Sequence, residues 1–141
     1  MTELPVGLNV EHTMAEALGF ELLELGEERA RGRFVVQERV QQPMGIVHGG
    51  AYAALGETIV SAATYLAVVG DGQIAVGQSN HTSFLRPISK VFVNAEATRR
   101  HRGRTSWVWE IDFTDDKGRL CAITRVTMAV RPAPDGAPAP S

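Results

Sequence analysis

Residues 49–70 read GGAYAALGETIVSAATYLAVVG, and Glu57 is the only charged side chain among them. At about 100° per residue, Ala51, Leu55, Ile59, Ala62 and Leu66 form one stripe, while Ala53, Val60, Ala63 and Val68 put apolar groups on the remaining sides. A helix apolar nearly all round is expected to be enclosed by the rest of the chain. The stretch is also long enough to raise the question of a membrane span. Its glycines, its several Ser and Thr, the internal Glu57 and the lack of a basic flank argue instead for the core helix of a soluble protein, with no membrane partner.

The flanking sequence supplies what would enclose it. Upstream, residues 11–18 (EHTMAEAL) predict a short helix closed by Gly19, and residues 20–25 and 32–36 predict two strands around the charged turn GEERAR. Residues 38–47 (ERVQQPMGIV) contain Pro43 and Gly45 and read as loop. Downstream come four strand-like runs, 74–84, 91–98, 106–113 and 120–130. In the second, Val91, Val93, Ala95 and Ala97 share one face; in the third, Trp107, Trp109, Ile111 and Phe113 do. The connectors at 101–104 (HRGR) and 115–118 (DDKG) are hairpin-like, so neighbouring strands are expected to be antiparallel. The ending PAPDGAPAPS reads as a disordered tail. The expected organisation is therefore one domain over 1–131 and a Pro/Ala-rich tail over 132–141. A long apolar helix among about six antiparallel strands packs most simply with the sheet curled around it, an α+β architecture.

Composition narrows the function classes. The 141 residues suit a single domain, and 44% hydrophobic with 21% charged residues describe an ordinary folded chain. Fourteen basic against sixteen acidic residues give a net charge of −2, so no broad cationic surface points to nucleic acid. The single cysteine, Cys121, excludes an internal disulfide and a cysteine zinc site, and the four histidines are scattered, so no metal is expected. Glu3 and the lack of a basic region before an apolar run argue against a signal peptide, and a cytoplasmic location is expected.

The chemistry-bearing residues cluster on and before the long helix. Gly50, Ala54, Glu57 and Ser61 fall within about 40° of one line, because seven and eleven residues are close to two and three turns. Burying a carboxylate there costs on the order of several kcal/mol unless it is paired or hydrogen-bonded. A catalytic role is one reason to carry that cost; an arginine or backbone donor at a subunit contact is another. Gly49 and Gly50 start the helix, where amides lack intrahelical acceptors and sit at the positive end of the dipole, so a carbonyl oxygen can approach closely. The same glycines also suit a simple turn into the helix. His48, just before them, reads equally as a structural donor.

The segment from Gln42 through His48-Gly49-Gly50 to Glu57 and Ser61 resembles the signature of the hot-dog thioesterases related to the phenylacetate-pathway and 4-hydroxybenzoyl-CoA enzymes. The likeness continues through Val76-Gly77-Gln78-Ser79-Asn80-His81, Phe84-Leu85-Arg86-Pro87, His101–Arg104 and Asp116–Cys121, and covers roughly residues 12–131. It implies the hot-dog fold and hydrolysis of an acyl-CoA thioester to free acid and coenzyme A, with no cofactor, coenzyme A being part of the substrate. Glu57 matches the catalytic carboxylate, as general base or nucleophile, and Gly49 or Gly50 the amide that polarises the carbonyl. Gln42 and His48 match side chains that orient the thioester, and Ser61 a hydroxyl that places substrate or water. Asn80, His81, Phe84, Leu85 and Arg86 fall in the substrate-binding region. Leu85 stands where some members carry a histidine, which puts an aryl contact of those members in question. The resemblance further implies a site between two protomers, in a homodimer assembling to a homotetramer.

The densest basic cluster is Arg99, Arg100, His101, Arg102 and Arg104. Arg102 and Arg104 are candidates for the phosphates of coenzyme A, since guanidinium forks suit them; a solvated hairpin tip is the other reading. A non-catalytic domain that binds acyl-CoA stays open as an alternative to an enzyme, and Glu57 separates the two.

Overall fold

The computed structural model describes residues 8–134. The chain runs α1 (Met14–Ala17), β1 (Glu21–Leu25), β2 (Arg29–Val35), α2 (Gly49–Val68), β3 (Gln73–Phe84), β4 (Phe92–Arg102), β5 (Ser106–Thr114) and β6 (Leu120–Pro132), with short 3-10 turns at Glu38–Val40 and Val69–Asp71. The six strands form one antiparallel sheet in the order β1-β2-β4-β5-β6-β3, with α2 packed across it. This is the α+β arrangement expected.

Local chemistry accounts for the elements. The Thr13 side chain caps α1, and Gly19 ends it in the left-handed region at φ 72°, with Gly19 N–H donating to Glu16 O and Phe20 N–H to Ala15 O. Those caps leave a four-residue helix where eight residues had the pattern. In β4 and β5 the alternation holds: Val93, Ala95, Ala97, Trp107, Trp109, Ile111 and Phe113 are all buried against α2. Val91 breaks it, because β4 begins only at Phe92 and Val91 is 54% exposed. The 3-10 turn at Glu38–Val40 interrupts the expected loop and buries Val40. β4 continues through Arg102, so half of the expected 101–104 connector is strand and the turn is closed by Gly103 N–H donating to Ser106 O. β6 likewise reaches Pro132, and Ala133 N–H donates to Gly72 O, which takes the first tail residues into the sheet; the tail from 135 on lies outside the described residues.

The long helix differs from expectation in one respect that matters. Ala51, Tyr52, Leu55, Ile59, Val60, Ala62, Ala63 and Val68 are buried, but Ala53, Ala54 and Ser61 are only half-buried, and Gly50 and Glu57 are exposed. The helix is therefore covered by the sheet on one side and open on the other, not enclosed. Alanine and glycine make the open side apolar in composition, and the single chain covers it only in part. By length and composition Gly49–Asp71 passes as a membrane span, but its buried face is the floor of a folded core.

Candidate active site

The loop before α2 delivers the helix start to a fixed place. His48 N–H donates to Val40 O at 2.8 Å and Val47 N–H to Ile88 O at 2.9 Å, while Gln42 and Ile46 close a tight turn around Gly45, whose φ is 81°. His48 is the N-cap of α2: its Nδ1 accepts from the Gly50 N–H at 2.8 Å. An accepting Nδ1 puts the ring proton on Nε2, which leaves a donor facing outward. The cap also separates the two glycines that the sequence left equivalent. The Gly50 amide is engaged, whereas the Gly49 amide has no hydrogen-bond acceptor among the described residues.

Gly49 lines an apolar groove of about 410 Å³ together with Gln42, Val47, Tyr52, Phe84, Leu85 and Arg86. A Cβ on Gly49 would lie 2.7 Å from Phe84 Cζ, so glycine is what lets the ring and the helix start meet. Gln42 Oε1 accepts from the Met44 amide, which leaves its NH2 end free to donate. Tyr52 sits between Phe84, tilted at a centroid distance of 6.0 Å, and Phe113, edge-on at 5.5 Å. Burial, with Cys121 adding to it, pushes the Tyr52 phenol up to about 12, so it stays protonated as part of the groove wall. Cys121 is itself buried and its thiol is pushed up by that burial, which marks it as structural.

Two turns along the helix, Glu57 faces β3. Asn80 Nδ2 lies 3.4 Å from Glu57 Oε1 and 3.0 Å from Ala53 O, and a Cβ on Gly77 would come within 3.3 Å of the carboxylate. The carboxylate is exposed, which corrects the expectation that it is buried. Ser61, one turn further on, points its hydroxyl at Met128 Sδ at 3.6 Å and borders a second apolar groove of about 390 Å³ with Leu8, Val10, Met14, Leu22 and Tyr65.

The remaining candidates are dispersed. Asn80 pairs with buried Val126 and faces the helix, whereas His81 pairs with exposed Arg125 and looks out from the opposite face of the sheet, beside Ser83, Glu110 and Ile123. Arg102 lies over Trp107 at 4.7 Å and pairs with Glu27 Oε2 at 3.2 Å; Arg104 is in the adjoining turn. Through the ladder Arg102–Trp107–Met128–Gly77, Arg102 sits level with Gly77, about 20 Å along β3 from Phe84, and Arg104 lies in the turn that follows it. They are far from the Gly49 groove of the same chain. Sequence reasoning missed Thr82, Thr124 and Tyr52 and gave Gly77, named within the likeness, no role; Thr82 was findable, since it alternates with Asn80.

Residues 44–122 match the family model described as the thioesterase superfamily. The proofreading thioesterase EntH of Cronobacter turicensis is 41% identical over 118 residues, 84% of this chain and 85% of that protein. Among solved structures, thioesterase HI1161 from Haemophilus influenzae superposes with a TM-score of 0.84 at 32% identity, covering 92% of this chain and 90% of that one. A mutant form of thioesterase PA1618 from Pseudomonas aeruginosa gives 0.83 at 33% identity, over 87% and 88% of the two chains.

Proposed function

Because the chain belongs to the thioesterase superfamily and has its hot-dog fold, its reaction is thioester hydrolysis, and we propose that the substrate is an acyl-CoA and that Glu57 is the catalytic carboxylate. The observation that carries this reading is the surroundings of Glu57: it is the one charged side chain on α2, it stands on the helix's open face, and a neutral amide holds it. A thioester carbon attacked by water gains an O–C bond while its carbonyl oxygen becomes an oxyanion. Glu57 takes the proton of that water and the helix-start amide of Gly49 stabilises the oxyanion by about 3 kcal/mol; the oxyanion then collapses, the C–S bond breaks, and the departing thiolate takes the proton from Glu57 to leave as the thiol. Direct attack by Glu57 to give a mixed anhydride, hydrolysed in a second step, is the competing route.

Gly49 and Glu57 are eight residues apart, about 12 Å along the helix, so a carbonyl held at one does not reach the other in the same chain. The proposed site therefore joins the Gln42–Gly49 loop of one protomer to Glu57 of a second, in a homodimer that assembles to a homotetramer. Gln42 and the His48 Nε2–H orient the thioester, and the Phe84–Leu85 groove takes apolar substrate. Aryl, arylacetyl and medium-chain acyl groups all suit that groove. The buried thiol of Cys121 fits the proposed cytoplasmic location.

The test is thiol release from a panel of acyl-CoAs by wild type and Glu57→Ala. Turnover is expected to fall by orders of magnitude with binding retained. Near-wild-type hydrolysis by the variant refutes the assignment, and binding without turnover in the wild type favours the non-catalytic alternative. Oxygen-18 water in a single turnover separates the routes, since label in the enzyme carboxylate reports the anhydride.

A further inference from the structure

We infer that Asn80 is a positioning residue for Glu57, not a substrate contact: it holds one carboxylate oxygen and so fixes the orientation in which the other is presented to the reacting centre. This rests on the catalytic role proposed for Glu57.

The Asn80 amide is held at both ends. Its Oδ1 accepts from Thr82 Oγ1 at 2.8 Å and lies 3.2 Å from Thr124 Oγ1, whose single proton is shared with His81 O at 3.0 Å, and its NH2 donates to Ala53 O at 3.0 Å and to Glu57 Oε1 at 3.4 Å. A backbone carbonyl carries no proton, so turning the amide over sets two oxygens against each other at Ala53 and a third at Glu57. The chemistry of the partners therefore fixes the amide orientation. Ala53 lies one turn before Glu57, so Asn80 grips both the turn that bears the glutamate and the glutamate itself.

The same strand borders the carboxylate's other oxygen. A Cβ at Gly77 would lie 3.3 Å from Oε2, so a side chain there would press the carboxylate aside by a few tenths of an ångström, and glycine leaves it undisturbed. Gly77 and Asn80 are three residues apart and in a regular strand point to opposite faces. The bulge between Gly77 and Ser79 inserts Gln78 without a partner and reverses the parity: Gly77 pairs with Met128 and Asn80 with Val126, both buried, so both residues face α2. The irregularity in β3 is what brings the donor and the open space to one carboxylate.

At 3.4 Å the bond to Oε1 is long and weak, and its donor is neutral. It restrains the rotation of an exposed side chain while leaving the negative charge uncompensated. Without it the productive orientation is populated less often, and misplacement of a catalytic group by about 1 Å lowers rate by about a hundredfold.

The experiment measures Asn80→Leu, of similar size and without a donor, in the wild-type and Glu57→Ala backgrounds, by steady-state kinetics and by single turnover with enzyme in excess. In the wild-type background kcat is expected to fall roughly ten- to a hundredfold, with KM within about threefold. In the Glu57→Ala background the substitution is expected to change the residual rate by less than about twofold, because the group it orients is gone. A loss of equal size in both backgrounds, a change confined to KM, or a kcat within about twofold of wild type overturns the inference. Near-wild-type turnover by Glu57→Ala alone overturns instead the reading of Glu57. Thr82→Val, which keeps Asn80 and removes one hydroxyl that holds it, is judged by the same criteria with a smaller expected loss, and decides the matter if Asn80→Leu fails to fold.

Discussion

Gly49→Ala separates the proposed oxyanion role of the helix start from its part in the fold. The new Cβ would sit 2.7 Å from Phe84 Cζ and 3.0 and 3.1 Å from the two Cε atoms, where unstrained carbon contacts are about 3.5–4.0 Å. The ring must therefore retreat by about 1 Å. Phe84 is 58% exposed at the end of β3, so it has room to swing outward. The strain falls at the low end of overpacking costs, about 1 kcal/mol, and replacing glycine by alanine in a helix returns a similar amount. Stability is expected to stay within a few degrees in Tm. Catalysis is expected to suffer far more. A methyl beside the unengaged helix-start amide keeps the carbonyl off it, and loss of one such donor costs about 2.7–4 kcal/mol, or 10²–10³ in kcat. Gly50→Ala is the control: its Cβ would lie 3.0 Å from the exposed His48 ring, and its amide already serves as the cap. Its kcat is expected within about tenfold of wild type. Thiol release with a single acyl-CoA, alongside thermal melts, measures both. A Gly49→Ala kcat within about threefold of wild type, or a larger loss in Gly50→Ala, refutes the reasoning.

Two further expectations concern the fold. In Gly32→Ala the Cβ would lie 2.7 Å from Ile59 Cγ2, 3.0 Å from Glu21 O and 3.4 Å from Leu55 Cδ1. Ile59 and Leu55 are fully buried and have nowhere to go, so stability is expected to drop by about 1–3 kcal/mol, read as a lower urea midpoint with activity per folded molecule unchanged; an unshifted midpoint contradicts it. Burial alone would raise the Asp115 carboxyl, but bonds from the Arg119 amide and guanidinium and the Lys117 amide outweigh it and hold the group below its ordinary 3.8. A lowered carboxylate stabilises the fold above its unfolded value and loses that contribution as pH falls through its folded one. The stability advantage of wild type over Asp115→Asn is therefore expected to shrink below about pH 4, and melting curves that run parallel down to about pH 3 argue against it.

The parts of this structure that the sequence made legible are those whose signal repeats. Twenty residues of helical periodicity announce α2, and Trp107, Trp109, Ile111 and Phe113 announce one face of β5, because burial selects apolar side chains at a fixed period. The openness of the helix was not legible. Ala53 and Ala54 look the same in sequence whether they touch a sheet or face solvent, and only the reach of a six-stranded sheet decides which. The face of Asn80 was hidden for a different reason. Asn80 and His81 are neighbours in one motif, yet strand alternation sends them to opposite sides, and the bulge at Gln78 shifts which of the two meets Glu57. The arginines of 99–104 read as a hairpin tip because charge usually marks solvent. Arg99 and Arg102 instead lie over Trp107 at 5.0 and 4.7 Å, with their charged ends on Glu27, so their stems belong to the sheet.

The distribution of ion pairs bears on why Glu57 is held by an amide. Among the described residues the six salt bridges engage Glu21, Glu24, Glu27, Glu110 and Asp115, each with an arginine, and none engages Glu57. An arginine at 2.7 Å, such as Arg119 has at Asp115, stabilises the charged form of a carboxylate and so opposes its taking a proton. A neutral donor at 3.4 Å gives orientation with far less of that opposition. The chain has fourteen basic residues to set against sixteen acidic ones, and the paired arginines lie along β2, β4, β6 and the hairpins, away from the open face of α2. For a carboxylate proposed to accept a proton or to attack a carbonyl, that spacing matters as much as its position on the helix: a Glu57 neutralised by arginine would be well placed and a poor base.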